Sequence, residues 1–288
     1  MKNPSSKLIA VIGDVHHHIG LAREGLERVE VELERPIAQV FSVGDLGLFL
    51  DESDWEFLTG PKKYRCPEES PKIRRAWEEW RWPISMIAGN HEPFHRLRDW
   101  QPEYFLHKLA FTNVGEMKHA IGGLRVAGLS GIYHPDELQF VPPLERRKMK
   151  LHQVETWSDM VPLVQTGKIS RSRLTYYKET EIETMKRLDF RPDLLLLHDW
   201  PTKPPHIQRS HGRRPEAEIV AACKPAFVCC GHHHTTADFS LGPSRVLALN
   251  IISTPELIHR HIINPGWAAL FEWDGQSCQL LRSWPEQK

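Results

Sequence analysis

The chain has 288 residues, 40% of them hydrophobic, and its 37 Lys and Arg residues are balanced by 37 Asp and Glu residues. This length suits one large α/β domain, and the balanced charge provides no global field that would attract nucleic acid or an anionic membrane. No apolar run approaches the ~20 residues of a membrane-spanning helix. The five cysteines show no C-x-x-C spacing, which argues against a disulfide framework or a zinc ribbon. We therefore expect a soluble cytoplasmic protein that does not associate with membranes.

Short apolar runs alternate with charged, helix-like stretches along the chain. Runs that end in glycine are typical of buried strands, and their alternation with helices predicts α/β layers with a β-rich C-terminal third. We expect a single domain over residues 1–288, with an inserted segment around 48–82 that is rich in Trp, Pro and charge. The predicted strands are 7–14, 37–45, 83–91, 124–131, 193–201, 226–234, 245–252, 267–273 and 278–284, and the predicted helices are 21–33, 170–188 and 215–223.

Polar side chains follow five of the predicted strands at the points where those strands end. Because ligands of open α/β sheets bind beyond the carboxyl ends of the strands, we expect these side chains to meet at one rim. Carboxylate oxygens, imidazole nitrogens and the carbonyl oxygen of an amide side chain suit divalent first-row metal ions. The number of these ligands suits two ions about 3.5–4 Å apart. The residues are Asp14, His16, Asp45, Asn90, His91, His198, His232 and His234.

The order of these motifs resembles that of the calcineurin-like metallophosphoesterases. The chain has GDVH at 13–16, GD at 44–45, GNHE at 89–92, LLLLHD at 194–199 and GHHH at 231–234. The resemblance implies an α/β fold arranged as a four-layer α/β/β/α sandwich. It also implies a centre of two divalent ions, which these ligands would accept as Mn, Fe, Zn or Co.

Residue roles carried over from this resemblance divide the motif residues between two ions. Asp14, His16 and His234 would hold the first ion, Asn90, His198 and His232 would hold the second, and Asp45 would bridge both. His91 would face the phosphate and act as the general acid. The implied reaction is phosphoester hydrolysis by attack of a metal-activated hydroxide on phosphorus.

The two runs of three histidines cannot all serve the ions. In an extended chain, residues two apart share a side, which predicts that His232 and His234 face the metals while His233 points away. The same alternation pairs His16 with Asp14 and turns His17 aside. His17 also stands where the family often has glycine, so its ring is expected either to narrow the site or to give it an extra hydrogen-bond donor.

The substrate class is narrowed by what surrounds the motifs. Residues 44–50 read GDLGLFL and lack the Asp and Arg of the G-D-x-x-D-R-G motif of Ser/Thr protein phosphatases. A narrower resemblance to RNA lariat debranching enzymes lies in GPKKYR, GGLRVAGLSGIY, LTYYKETEI and HDWP at 60–65, 122–133, 174–182 and 198–201. Those enzymes commonly have Cys in place of Asp14. We therefore expect a phosphodiesterase whose substrate is a phosphoester such as RNA or a nucleotide, with no obligate protein partner evident.

A basic stretch at 202–214 follows the predicted strand that bears His198. Loops from carboxyl ends overhang such sites, so Arg213 and Arg214 are candidates for binding substrate phosphates, although a solvated loop explains them equally well. Two alternative functions stay open. One is a phosphomonoesterase acting on nucleotides or proteins, and the other is a non-catalytic protein-binding scaffold. The scaffold predicts lost ligands and above all a lost His91, whereas all of these residues are present.

Overall fold

Two β-sheets form the centre of the molecule in the computed structural model, which describes residues 6–149, 154–204 and 212–286. Within these ranges each sheet has six strands. The first sheet is β1 Lys7–Ile12, β2 Ile37–Ser42, β3 Ile84–Met86, β4 Leu109–Phe111, β11 Ala268–Trp273 and β12 Cys278–Trp284. The second is β5 Val114–Glu116, β6 Val126–Leu129, β7 Leu194–Leu197, β8 Phe227–Cys230, β9 Ala237–Leu241 and β10 Ser244–Ala248.

Parallel strands occupy the middle of both sheets. The first sheet has the order β12-β11-β1-β2-β3-β4, in which β1 to β4 are parallel and β11 and β12 continue the sheet antiparallel. The second has the order β5-β6-β7-β8-β10-β9, in which only the two edge strands run antiparallel. The carboxyl ends of β1, β2, β3, β7 and β8 therefore supply the loops that build the site.

Helices and 3₁₀ turns cover the outer faces of the sheets. The helices are α1 Ile19–Leu33, α2 Ser70–Glu78, α3 Phe94–Leu97, α4 Pro143–Lys148, α5 Trp157–Gln165, α6 Glu179–Lys186, α7 Arg214–Cys223 and α8 Pro255–Ile258. The 3₁₀ turns are Glu52–Phe57, Lys62–Tyr64, Pro67–Glu69, Pro135–Glu137 and Arg171–Thr175. None of the helices in the described ranges is long and apolar enough to cross a membrane.

Side-chain alternation along the strands creates three hydrophobic cores among the described residues. Ile9 and Val11 of β1 pack in the core between the sheets, whereas Leu8 and Ala10 pack on the helix side. A third core lies between the second sheet and helices α6 and α7. These layers confirm the four-layer α/β/β/α sandwich, and they explain why β1 reads as an unbroken apolar run.

The segment 48–82 lies between β2 and β3 and contains three of the 3₁₀ turns and α2. Its four tryptophans, Trp55, Trp77, Trp80 and Trp82, are all buried in the core of the first sheet's helix side. The tryptophan-rich composition therefore serves packing. Its status as an insertion, and the single-domain organisation of the chain, stay predictions.

The prediction of one helix over 170–188 is wrong. Residues 171–175 form a 3₁₀ turn, and the helical part begins only at Glu179. Between them Ile132 donates its N–H to the carbonyl of Thr175 and accepts the N–H of Tyr177. This pairing with a distant segment replaces the local helical bonds, an outcome that periodicity within 170–188 could not reveal.

Candidate metal centre

Five loops at the carboxyl ends of parallel strands bring the predicted site residues to one rim. Asp14 and His16 follow β1, Asp45 follows β2, and Asn90 and His91 follow β3, all in the first sheet. The loops after β7 and β8 in the second sheet carry the rest, namely His198, His232 and His234. The site therefore lies where the two sheets meet.

Asp45 lies between two groups of donor atoms. Its Oδ1 accepts the backbone N–H groups of Asn90 and His91, each at 2.7 Å. Its Oδ2 lies 3.7 Å from Nε2 of His16 and 3.4 Å from Nε2 of His198. This second oxygen is buried and has no hydrogen-bond partner of good geometry among the described residues. Two backbone amides thus fix the carboxylate so that one lone-pair-bearing oxygen faces both groups.

The first group consists of Asp14, His16 and His234. Nε2 of His234 lies 3.1 Å from Oδ2 of Asp14 and 3.0 Å from Nε2 of His16. Two imidazole nitrogens at this separation either share a proton or direct both lone pairs at a common cation. The backbone N–H of His232 also donates to Asp14, at 2.9 Å, and so holds the carboxylate in place.

The second group consists of Asn90, His198 and His232. Nδ1 of His198 donates to the carbonyl of Val43 at 2.8 Å, which turns Nε2 into the site. This Nε2 lies 3.2 Å from Oδ1 of Asn90. The rings of His198 and His232 have centroids 5.0 Å apart.

The electrostatics of both groups centre on Asp45. Although burial acts against it, the charges of His198 and His91 hold the pKa of the Asp45 carboxyl well below its usual range. Burial likewise opposes protonation of His198, but the Asp45 carboxylate raises the pKa of His198 to about 10. Burial lowers the pKa of His16 to about 4, so its ring is neutral at neutral pH. The site therefore combines a buried Asp45 carboxylate and a neutral His16 ring with a His198 ring that balances the carboxylate as an imidazolium, a positive charge that a bound cation would replace.

Left-handed backbone conformations bring these donors together. The φ angles are 46° at His16, 52° at Asp45, 70° at His232 and 50° at His234. The strand-like alternation invoked for the histidine runs is therefore wrong as an explanation, because tight turns orient these residues. Such conformations cost of order 1–3 kcal/mol each and cluster at functional sites, where the surrounding structure enforces them.

Two motif glycines are required by close packing against the acidic residues. A Cβ at Gly89 would lie 2.1 Å from Oδ1 of Asp45, and one at Gly231 would lie 2.2 Å from Oδ1 of Asp14. No real Cβ contact is that short. The glycine before Asn90 and the glycine before His232 thus allow the chain to pass directly beside both carboxylates.

The donor set fits divalent metal ions. Donor atoms of Asp14, His16 and His234 lie within 4.8 Å of one another, and donor atoms of His16, Asp45 and His91 form an adjoining group of the same size; neither group contains a thiolate. Oxygen and imidazole donors suit Mn, Fe, Zn and Co alike, so the donor set does not select among them.

His91 lies at the edge of the same cluster. Its ring centroid is 5.1 Å from that of His16, and a ring nitrogen lies within 4.8 Å of donor atoms of His16 and Asp45. It also lines a cavity beside the site. This position is compatible with the predicted role of His91 as an acid and with ligation of an ion, so its role stays a prediction that a variant can test.

Glu92 is a site residue whose contacts the sequence did not reveal. Its buried carboxylate accepts the N–H groups of Leu46 and Gly47 at 2.8 and 3.0 Å, which ties the loop after β3 to the turn that holds Asp45. Burial and the Asp45 charge raise the pKa of Glu92 to about 8. These bonds go to the Asp45 turn, so Glu92 has a structural role in holding that turn.

Asp199 and His233 form a second layer behind His232. Nε2 of His233 lies 2.8 Å from Oδ1 of Asp199, and Nε of Arg213 donates to Oδ2 of the same carboxylate at 3.0 Å. His233 thus engages Asp199, whereas its two neighbours lie among the metal-ligand candidates. Although burial opposes it, the hydrogen bond from His233 and the charge of His232 hold the pKa of Asp199 well below its usual range.

The basic stretch at 202–214 is only partly described. Residues 205–211, with His206, Arg209 and His211, lie outside the described residues. Arg213 pairs with Asp199, and Arg214 donates to Glu218 at 2.9 Å on the exposed face of α7. Both predicted substrate-binding guanidinium groups are thus paired with carboxylates, and phosphate binding by either stays a prediction.

The chain is similar in sequence to several known proteins. A family model described as calcineurin-like phosphoesterase matches residues 7–236. A lariat debranching enzyme of Arabidopsis thaliana is 24% identical over 249 residues, which cover 78% of this chain and 54% of that enzyme. A lariat debranching enzyme of Entamoeba histolytica is 23% identical over 295 residues, which cover 96% of this chain and 78% of that enzyme. The chain thus spans about half the length of the Arabidopsis relative.

Similarity of fold extends to solved structures. One crystal structure with 13% sequence identity aligns with a TM-score of 0.53, covering 96% of this chain and 99% of that chain. At this identity the match concerns the fold alone.

Proposed function

The chain belongs to the calcineurin-like phosphoesterase family, and we propose that it is a metal-dependent phosphodiesterase with two divalent ions at the rim site. The observation that carries the proposal is Oδ2 of Asp45, a buried oxygen that lies between two groups of nitrogen and oxygen donors and makes no hydrogen bond of good geometry to a described residue. A buried acceptor left without a partner is costly, so such an atom calls for a ligand.

The seven donor residues would hold the ions in two sets that share Asp45. Asp14, His16 and His234 would hold one ion, and Asn90, His198 and His232 the other. Ions bound there would supply a hydroxide nucleophile at neutral pH and would neutralise charge on the phosphoryl oxygens. The backbone amides of Asn90 and His91, the carbonyl of Val43 and the N–H of His232 would keep the donors in place.

His91 would donate a proton to the leaving oxygen of the ester. Its ring borders both the donor cluster and the adjoining cavity, so it would stand between the ions and the departing group. Proton transfer by a positioned side chain contributes typically about 10²–10⁴-fold to rate, and the contribution is largest where the leaving group is a poor one.

A diester is the better-supported substrate class. The loop after Asp45 has no Asp or Arg at the positions that mark Ser/Thr protein phosphatases. The curated relatives named above are lariat debranching enzymes, whose name denotes the debranching of lariats. We accordingly propose RNA or a nucleotide phosphodiester as the substrate. A phosphomonoesterase on the same site is the alternative.

A panel of esters assayed with each metal tests this function. Purified protein loaded with Mn²⁺, Fe²⁺, Zn²⁺ or Co²⁺ would be given a chromogenic diester, its monoester counterpart, and dinucleotides with 3′,5′ or 2′,5′ linkages. We expect diesters to be hydrolysed at least as fast as monoesters. A strong preference for monoesters would contradict the diesterase proposal, and inactivity with every metal and ester would favour the scaffold.

A further inference from the structure

A cavity of about 550 Å³ opens beside the proposed metal centre. One side is formed by site histidines, including His91 and His234. A second side comes from the segment between β2 and β3, including Phe49, Leu58 and Tyr64. Residues 251–259, after β10, close the third side. The cavity is therefore continuous with the reacting centre and is walled mainly by apolar and aromatic side chains.

Tyr64 presents an aromatic ring to this cavity. Its side chain is 54% exposed, which is unusual for so large a ring and leaves its surface available to a ligand. Nζ of Lys63 lies 5.0 Å from the ring centroid, and Lys63 has no carboxylate partner among the described residues. An aromatic surface beside an unpaired cation is the combination that binds a base next to a phosphate.

Gly60 places this ring directly beside His91. A Cβ at Gly60 would lie 3.3 Å from Cε1 of His91 and 3.8 Å from Cδ2 of Tyr64. The two rings therefore approach the same point from two sides, and the missing side chain at Gly60 keeps the gap between them open. A group that stacks on Tyr64 would thus lie on the leaving-group side of the ester, where His91 would donate its proton.

We propose that this cavity is the subsite for the leaving-group nucleoside of a phosphodiester, with its base stacked on Tyr64. The inference rests on the proposed function and deepens it by naming the group that the site selects. A volume of about 550 Å³ is within the range of pockets for small organic ligands. Phe49, Leu58 and Pro255 supply an apolar wall for an uncharged planar base. Lys63 also lines the cavity and would bind a neighbouring phosphate.

Kinetics of Tyr64 variants on matched substrates test the stacking role. The substrates are a dinucleotide and the same phosphodiester with an abasic leaving nucleoside. We expect Tyr64→Ala to raise KM for the dinucleotide ~10-fold while changing kcat little, since stacking on an aromatic ring contributes ~1–3 kcal/mol per base. The abasic substrate should keep its wild-type KM. Tyr64→Phe retains the ring and should behave as the wild type on both substrates.

Controls separate this inference from the proposed function. Metal content and Tm of Tyr64→Ala should equal those of the wild type, which would exclude damage to the fold or to the centre. Equal KM changes for both substrates, or no change for either, would overturn the subsite while leaving the hydrolase intact. If the wild type hydrolyses neither diester, calorimetric binding of the dinucleotide to the Mn²⁺-loaded wild type and to Mn²⁺-loaded Tyr64→Ala still tests the subsite. Equal affinity of the two proteins for the dinucleotide, or no binding to the wild type, would then refute the subsite.

Lys63 offers a second, independent measurement. Lys63→Gln should raise KM for a trinucleotide, whose additional phosphate could reach the cation, and should leave the dinucleotide nearly unaffected. The trinucleotide reaction of the wild type should weaken more steeply with salt than that of the variant, because fewer phosphate contacts release fewer counterions. Identical salt dependence would refute a phosphate contact at Lys63.

Discussion

Asp45 joins the two halves of the site at the scale of a single residue. Its Oδ1 is occupied by the amides of Asn90 and His91, and its Oδ2 is left facing His16 and His198. The backbone contacts determine the orientation of the carboxylate before any ligand binds. A change of charge at this position should therefore affect both proposed ions.

Asp45→Asn should abolish hydrolysis and reduce metal content at both sites. The amide lacks the negative charge. In either orientation its NH₂ group replaces one acceptor oxygen, namely the one that accepts the backbone N–H groups of Asn90 and His91 or the one that faces the proposed ions. Metal analysis after gel filtration, together with an activity assay, measures both effects. Asp238→Asn, which changes an exposed aspartate paired with Arg245, should leave both metal content and activity unchanged. Two tightly bound ions and a normal rate in Asp45→Asn would disprove the bridging role.

His91→Ala should keep both ions and reduce kcat by about 10²–10⁴-fold, the usual scale for a general acid. The reduction should be larger for esters with poor leaving groups, because those need the proton most. His119→Ala, which removes an exposed histidine remote from the cavity, serves as control. If metal content falls in parallel with rate, His91 is a ligand and not an acid.

Glu216→Gln should raise thermal stability at high pH. Burial and the nearby Asp199 charge raise the pKa of Glu216 to about 8 from its ordinary 4.5. Between these values the folded chain keeps a proton that the unfolded chain loses, so the free energy of unfolding falls as pH rises through this window. The amide of the variant carries no charge at either pH, so its free energy of unfolding does not fall for this reason as pH rises.

Unfolding curves at pH 5 and pH 8 measure the difference between Glu216→Gln and the wild type. We expect a higher Tm for the variant at pH 8 and a smaller difference at pH 5. Glu218→Gln lies on the same helix and changes an exposed carboxylate whose pKa is lowered by Arg214 and Lys186, so it should bring no such gain. A gain that is independent of pH would contradict the assigned ionisation.

The loops after β2 and β3 behave as one unit at the scale of elements. Asp45 in the first loop accepts two amides from the second, and Glu92 in the second accepts two amides from the first. This reciprocal bonding keeps two residues that are 47 positions apart in a fixed relation. Neither loop can shift without breaking bonds made by the other.

Glu92→Ala should therefore affect stability and metal binding together. The variant leaves the buried N–H groups of Leu46 and Gly47 without their acceptor, at a cost of about 1–3 kcal/mol for each unsatisfied group. Urea unfolding and metal analysis would detect the two effects. Glu79→Ala, an exposed change, is the comparison. A stable Glu92→Ala with full metal content would show that the loops do not depend on this carboxylate.

Both sheets contribute donors, so the site connects the two halves of the whole molecule. Asp14, His16, Asp45 and Asn90 come from the first sheet, and His198, His232 and His234 come from the second. A ligand that binds only the folded arrangement stabilises it through mass action. Binding of metal ions at the rim should thus be measurable as an increase in the stability of the entire chain against unfolding.

Removal of metal should lower Tm, and added Mn²⁺ or Zn²⁺ should restore it. One site at a free ion concentration of 100 times Kd contributes about 2.7 kcal/mol. Thermal unfolding with a chelator and then with excess metal tests this expectation. Asp45→Asn should show a much smaller response. An identical Tm with and without metal in the wild type would argue against resident ions.

The layers of the fold and the positions of the motif residues along it follow from local features of the sequence. Apolar runs ending in glycine are local signals, and those at β1, β2, β3 and β8 are strands in the structure, which forms the expected four-layer α/β/β/α sandwich. The motif residues lie directly after such runs because a strand end is also a local feature. Their roles as ligands and acid stay predictions.

The way these residues face one another depends on contacts between segments that are distant in the chain. The left-handed turns at His16, Asp45, His232 and His234 replaced the strand-like alternation, because bonds between loops enforce conformations that no local pattern favours. The same holds for the break before α6, where Ile132 takes over the backbone bonds of a predicted helix. The partners of Glu92, the pairing of Arg213 with Asp199 and the approach of Tyr64 to His91 depend on segments far apart in the chain. Packing alone brings such segments together, so a reading along the sequence could not supply these contacts.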